Sequence, residues 1–293
     1  MKIFGTSLLL ALSLVSLRAA DLPSLNPTPS NQSLPGKIIW ADLFTNNPKA
    51  EAQFYTGLFG WTATTLKHRG HKYIVLSSNG QPVAGIVEHA APKGDTGRGR
   101  WISYISVTDV AATVKTAVNN GGKVILAART VAARGTQALL ADNEGSLLGV
   151  IASSSGDPLD DEPAIGTWAW AHVFAPDPAG AAQFYHAVLG YEAAQDPRDN
   201  RQDIYLLNSQ GLTRAALGPI TPHPEAKGEW LGFIRVANLD DAVARATSLG
   251  GHVLVDPKST RPESRVAIIA DPSDVAIGLV ELSDATALEK QAP

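Results

Sequence analysis

The sequence predicts an α+β protein of four βαβββ modules, forming two tandem domains that each curve a mixed sheet around a cavity with helices outside. Three observations lead there: the chain repeats itself, each repeat holds two strand-to-helix openings, and each helix is followed by short extended runs. The repeat is close. Trp40-Ala41-Asp42-Leu43-Phe44, Ala52-Gln53-Phe54-Tyr55 and Phe59-Gly60-Trp61 return as Trp170-Ala171-His172-Val173-Phe174, Ala182-Gln183-Phe184-Tyr185 and Leu189-Gly190-Tyr191. Trp101 is matched by Trp230, Gly121-Gly122 by Gly250-Gly251, and Asp142 by Asp271.

The N-terminus carries Lys2, an apolar run from Leu8 to Leu17 broken by Ser13 and Ser16, and then Arg18-Ala19-Ala20. Such a run is too short to span a bilayer and ends in small residues, so residues 1–20 read as a signal peptide. Export to the periplasm or the extracellular space is the expectation. Residues 21–35, with four prolines among Ser and Asn, read as a solvated linker.

The first domain then spans 36–153. Lys37 to Thr45 is strand-like, Asn47 is a suitable helix cap, Pro48 fits the first helical position, and Ala50, Phe54 and Leu58 recur at helical spacing. Extended runs follow over Trp61–Lys67, Tyr73–Ser78 and Pro82–Val87, with an Asn-Gly turn before the last. The second module opens at Trp101–Val107 and runs into a helix bearing Val110, Val114 and Val118, which should stop at the Gly121-Gly122 pair. A Ser/Asp/Pro-rich linker over 154–165 separates this domain from a second at 166–283, and 284–293 is a tail. In the second domain Asp177-Pro178 opens one helix and Leu239, Val243 and Ala246 mark the other.

A net charge of -4 and the lack of a basic stripe argue against nucleic acid as a partner. The absence of cysteine removes disulfides, thiolate nucleophiles and cysteine-linked lipids. The expected partner is a small molecule, with no membrane attachment after signal removal, in a two-domain monomer or a homodimer.

The module order and the residues Trp40-Ala41-Asp42-Leu43, Phe54-Tyr55 and Leu58-Phe59-Gly60-Trp61 resemble the vicinal oxygen chelate superfamily of glyoxalases, bleomycin-resistance proteins and extradiol dioxygenases. The similarity is strongest to its tandem glyoxalase-like branch, and it covers roughly 36–283. The resemblance implies a divalent metal in each cavity that stabilises charge developing on substrate oxygens. The positions where the family carries its ligands hold Trp40, Ile102 and Gly149 in one half and Trp170, Leu231 and Gly278 in the other. None of these binds a metal, so no metal and no cofactor are expected, and whether the chain is an enzyme stays open. Glu88 matches a further ligand position, but its counterpart is Pro219; His68, His71 and His89 read as surface residues.

Period-two alternation places Trp40, Asp42 and Phe44 on one face of their strand, with Ile39, Ala41, Leu43 and Thr45 on the other. The first set, with Ile102, Tyr104 and Ser106, is expected toward the cavity; the second domain offers Trp170, His172, Phe174, Leu231, Phe233 and Arg235. Trp101 and Trp230 open the facing strands and complete the candidate wall. Aromatic walls with a few polar groups suit a small apolar or aromatic ligand. No catalytic residue is assigned. Three functions remain: metal-free ligand binding, metal-dependent lyase, isomerase or dioxygenase chemistry with unusual ligands, and a purely structural or partner-binding duplication.

Overall fold

The computed structural model describes residues 22–26, 28–68, 71–89, 99–197, 203–220, 228–261 and 264–283. The apolar N-terminal run, the tail from 284, and the side chains of His68 and His71 lie outside the described residues. The first domain runs β1 (Ile38–Thr45), α1 (Pro48–Phe59), β2 (Thr62–His68), β3 (His71–Ser78), β4 (Gln81–Glu88), β5 (Arg100–Ser106), α2 (Val110–Asn119), β6 (Lys123–Val131), β7 (Gly135–Ala141) and β8 (Leu147–Ser153). The second repeats the order: β9 (Trp168–Ala175), α3 (Pro178–Leu189), β10 (Glu192–Gln195), β11 (Tyr205–Ser209), β12 (Leu212–Pro219), β13 (Glu229–Arg235), α4 (Leu239–Ser248), β14 (His252–Arg261), β15 (Ser264–Ala270) and β16 (Ala276–Leu282).

Each domain forms one eight-stranded sheet, ordered β2-β3-β4-β1-β5-β8-β7-β6 and β10-β11-β12-β9-β13-β16-β15-β14. The two opening strands pair antiparallel at the centre, and each lies parallel to the last strand of its own module. The βαβββ order expected from the sequence is thus present four times.

Local chemistry sets the helix ends. Pro48 and Pro178 occupy the first turns, where a missing N–H costs nothing, and Gly60 and Gly190 close α1 and α3 in the left-handed conformation at φ 70°. Asp109, Asp177 and Asn238 cap their helices through the side chain. Asn47 does not: the Thr45 hydroxyl instead accepts its N–H, at 3.1 Å.

The helices cover the convex side of each sheet, and that side faces the other domain. One buried cluster joins Ala41, Leu43, Phe54 and Leu58 to Ile234, Leu239, Ile269 and Leu279. The other joins Ile105, Val110, Leu140 and Val150 to Val173, Phe184, Val188 and Leu217. The first module therefore shares a core with the fourth, and the second with the third. Phe54 and Phe184 are both buried there, where truncation to alanine costs about 3–5 kcal/mol. The concave faces point away from this shared core.

Strand alternation holds with one correction. Ile39, expected on the helix side, joins the concave cluster with Trp40, while Ile38 packs against the helix-side core. A register irregularity between Ile38 and Trp40 in the pairing with β5 accounts for it, because a bulge breaks the period of two.

Candidate ligand sites and the domain interface

The most closely repeated residues build the junction between the domains. The Tyr55 hydroxyl donates to Asp271 Oδ2 at 2.8 Å and accepts from Trp101 Nε1 at 2.9 Å. Its counterpart Tyr185 donates to Asp142 Oδ2 at 2.6 Å and accepts from Trp230 Nε1 at 2.8 Å. Trp61 Nε1 donates to the Gly166 carbonyl at the start of the second domain, and the Tyr191 hydroxyl to the Gly36 carbonyl at the start of the first. Burial raises the phenol pKa values of Tyr55 and Tyr185, with Asp271 and Asp142 adding to it, so both stay protonated donors. Trp101 and Trp230 are therefore corrected: they stand on the helix side in the shared cores, not in the ligand wall.

The concave face of the first domain gathers Trp40, Phe44, Ile102 and Tyr104, as the alternation predicts. Asp42 lies within it, 5% exposed, and its Oδ1 accepts from Trp40 Nε1 at 2.8 Å and from the Tyr73 hydroxyl at 2.6 Å. The Tyr104 hydroxyl approaches the same carboxylate. Burial, reinforced by Asp42, pushes the pKa values of Tyr73 and Tyr104 upward, so both remain donors to it. The acid is a held acceptor rather than a base reaching for a proton. Room for this arrangement comes from Gly85, where a Cβ would stand 1.8 Å from the Tyr73 hydroxyl and 2.3 Å from Asp42 Oδ1.

Two groups that the sequence reading missed complete this face. Arg134 lies in the β6–β7 turn and is 3% exposed, its guanidinium 4.3 Å from the Trp40 ring centre and 5.1 Å from that of Tyr73. Leu25, from the stretch read as a solvated linker, is also 3% exposed and seated in the same cluster. That stretch is corrected: Asn26 N–H donates to Ser155 Oγ, Ser30 N–H to the Ser155 carbonyl, and Leu34 N–H to Asp157 Oδ2. Arg134 sits in a short turn without periodicity, and Leu25 is a lone apolar residue among prolines and serines, so only weak local signals marked either.

The second domain is more open. Trp170, His172 and Phe174 are half-buried, while Ala171, Val173 and Ala175 on the other face of β9 are buried. His172 and Phe174 lie 4.3 Å apart, stacked at 29°. Leu231 and Phe233 form the buried floor, with Trp170 and Phe174 packed against it. His172 replaces Asp42, and Ala216 pairs with it where Gly85 pairs with Asp42. Arg235 is drawn elsewhere: its Nη1 bonds Glu162 and the Pro163 carbonyl of the interdomain segment. Ser106 likewise donates to Asp157.

The superfamily's metal positions have a structural replacement in both domains. Gly149 pairs with Tyr104 and Gly278 with Phe233, and a Cβ on either glycine would meet the neighbouring ring at 2.3 Å and 2.2 Å. Aromatic rings thus cover the positions from which a glutamate would reach a metal, and Trp40, Ile102, Trp170 and Leu231 offer no ligand atom. This donor set does not fit a divalent ion. Glu88 is exposed, and Glu281 accepts the Leu239 N–H at the start of α4. Among the described residues no three His, Asp or Glu side chains converge.

Comparison with known proteins agrees with this architecture. Residues 37–150 match the family model of the Glyoxalase/Bleomycin resistance protein/Dioxygenase superfamily, and residues 170–280 match that of the Glyoxalase-like domain. The chain belongs to this superfamily, the vicinal oxygen chelate proteins, as a tandem two-domain member. It is 30% identical to the anthracycline biosynthesis protein DauV of Streptomyces sp. (strain C5), over 86% of this chain and 95% of that one. It is 28% identical to the putative glyoxylase CFP32 of Mycobacterium bovis, over 83% of this chain and 93% of that one. Among solved structures, the Mn(II)-bound glyoxalase from Novosphingobium aromaticivorans superposes with a TM-score of 0.59 at 16% identity, covering 85% of this chain and 83% of that one. The 2,2',3-trihydroxybiphenyl 1,2-dioxygenase from Sphingomonas wittichii strain RW1 gives 0.58 at 17% identity, with coverages of 85% and 90%. At these identities the structural matches establish the fold.

Proposed function

We propose that this protein is an exported, metal-free binding protein whose ligand seat is the concave face of the second domain. The ligand is a small apolar or aromatic molecule held against Trp170, His172 and Phe174. One observation carries this reading: those three side chains are half-buried above a buried Leu231–Phe233 floor, whereas Trp40, Asp42 and Phe44 in the equivalent places are buried. Half-buried indole and phenyl faces offer stacking area, and the imidazole supplies one polar handle. The absence of metal-ligand residues at the superfamily's positions supports binding over metal-assisted catalysis. A relative's naming for anthracycline biosynthesis supports a small-molecule ligand. Export rests on the basic Lys2, the N-terminal apolar run and the small residues that end it.

The test is a fluorescence titration with a panel of planar aromatic and amphipathic molecules. Saturable quenching that is lost in Trp170→Ala and kept in the exposed control Lys115→Ala is the expected result. A panel without saturable binders, or a response indifferent to Trp170→Ala, overturns the seat. Stoichiometric tightly bound metal in protein purified without chelators overturns the metal-free reading. Sequencing the N-terminus of periplasmic or secreted material tests export.

A further inference from the structure

The first domain contains a buried cation with two N–H sites unpartnered among the described residues. Arg134 is 3% exposed, and neither its Nε nor its Nη2 has a hydrogen-bond partner among the described residues. Its guanidinium lies over the π-faces of Trp40 and Tyr73. Cation–π contacts return less than the desolvation of a buried guanidinium costs, so hydrogen-bonding capacity is left over on it. Asp42 lies in the same neighbourhood but does not bond it: its Oδ1 accepts from Trp40 and Tyr73, and among the described residues no ion pair joins it to Arg134.

We propose that the concave face of the first domain is a binding site for a small planar carboxylate, seated on the Nε–Nη2 edge of Arg134 and covered by the N-terminal segment through Leu25. Those two N–H groups form the side-on edge of the guanidinium, whose spacing matches the two oxygens of one carboxylate and yields two parallel charge-assisted bonds. The surroundings favour an apolar body behind the carboxylate: Trp40, Tyr104, Ile102 and Leu139 are all buried in one cluster. The cover is a single side chain. Leu25 is the one buried apolar side chain among the described residues of 22–36, and its segment lies along Ser153–Asp157 by hydrogen bonds from Asn26 and Ser30 to Ser155. Ser154 N–H also donates to the Arg134 carbonyl, so the strand end that carries the cover also fixes the arginine. A segment with so little buried area opens locally without unfolding the sheet beneath it. This site is separate from the second-domain seat and does not depend on it.

The experiment is calorimetric titration of the full chain at constant ionic strength with benzoate, its neutral isostere benzamide, and inorganic phosphate. All are run in a Trp170→Ala background so that the second-domain seat contributes nothing. Benzoate should bind saturably, and benzamide roughly tenfold more weakly or worse, the effect of losing charge-assisted bonds. Arg134→Met should abolish the preference while keeping the melting temperature at or above that of the parent, because it replaces an unpartnered buried charge with an apolar chain. Leu25→Ala should speed benzoate association. Equal binding of benzoate and benzamide, preference retained in Arg134→Met, or no benzoate binding in either the parent or Leu25→Ala overturns the proposal. Phosphate binding more tightly than benzoate overturns the carboxylate assignment. A marked fall in melting temperature for Arg134→Met, with no benzoate response in the parent, shows that water alone satisfies the arginine.

Discussion

Asp42 shows how one residue's meaning depends on its neighbours. A carboxylate at 5% exposure is costly unless it is bonded, and here the donors come from its own strand, through Trp40, and from β3, through Tyr73. The hydroxyl of Tyr73 reaches it only because position 85 has no side chain. Gly85→Ala is expected to destabilise the protein by about 1–3 kcal/mol, as overpacking in a filled core does, and denaturant unfolding measures it. At the same place in the second domain Ala216 stands beside His172, so the two domains share a backbone and differ in site chemistry. Tyr104 and Phe233 carry the same lesson, since the glycines beneath them exchange a metal ligand for a ring.

At the scale of elements, each glycine pair has a division of labour. Gly121 and Gly250 adopt φ of +89° and +91° after α2 and α4, which only glycine does at little cost. The second member of each pair serves a different end: a Cβ on Gly122 would lie 3.0 Å from the Phe184 ring, and one on Gly251 would lie 2.9 Å from the Phe54 ring. Both rings belong to the other domain. Gly251→Ala also meets the Ala270 carbonyl at 2.6 Å, so it should cost about 1–3 kcal/mol. It should also shift the near-ultraviolet dichroism of the interface aromatics. The N-terminal segment is the contrasting element, with one buried leucine where a strand would bury a whole face.

The whole molecule is held by two related junctions that are not identical. Tyr55→Phe leaves Asp271 Oδ2 and Trp101 Nε1 without this partner, and Tyr185→Phe does the same to Asp142 and Trp230. Each change is expected to cost about 1–3 kcal/mol per buried group left unpaired, read by equilibrium unfolding. The asymmetry lies at Glu51, which is fully buried beside Asp271, where α3 has Ala181. Burial, and then the neighbouring Asp271 carboxyl, pushes the Glu51 pKa from 4.5 up to about 8. Its folded-state pKa is raised, so the native protein holds a proton that the unfolded chain releases. Its contribution is therefore fully present below about 4.5 and is lost as pH rises to about 8. Glu51→Gln should flatten that part of the stability profile and raise stability most at pH 8 and above; an unchanged slope between the two values would count against the assignment.

By itself the sequence determined what is local or repeated. Period-two and helical patterns, caps and turn residues specify four βαβββ modules, and the duplication specifies two domains, because these signals depend on neighbours a few residues away. Alternation also placed Trp40, Asp42, Phe44 and Tyr104 on one face, and only a bulge at Ile38 broke it. Tertiary structure alone decided which surfaces meet. Trp101 and Trp230 look like ligand-wall tryptophans in sequence, yet each bonds a tyrosine in the core shared between domains. Leu25 and Arg134, far apart in the chain and without a pattern, both join the face that holds Trp40. The physical reason is the same in each case: burial and hydrogen bonding are settled between distant segments once the helices of one domain pack against those of the other, and no local period encodes that choice.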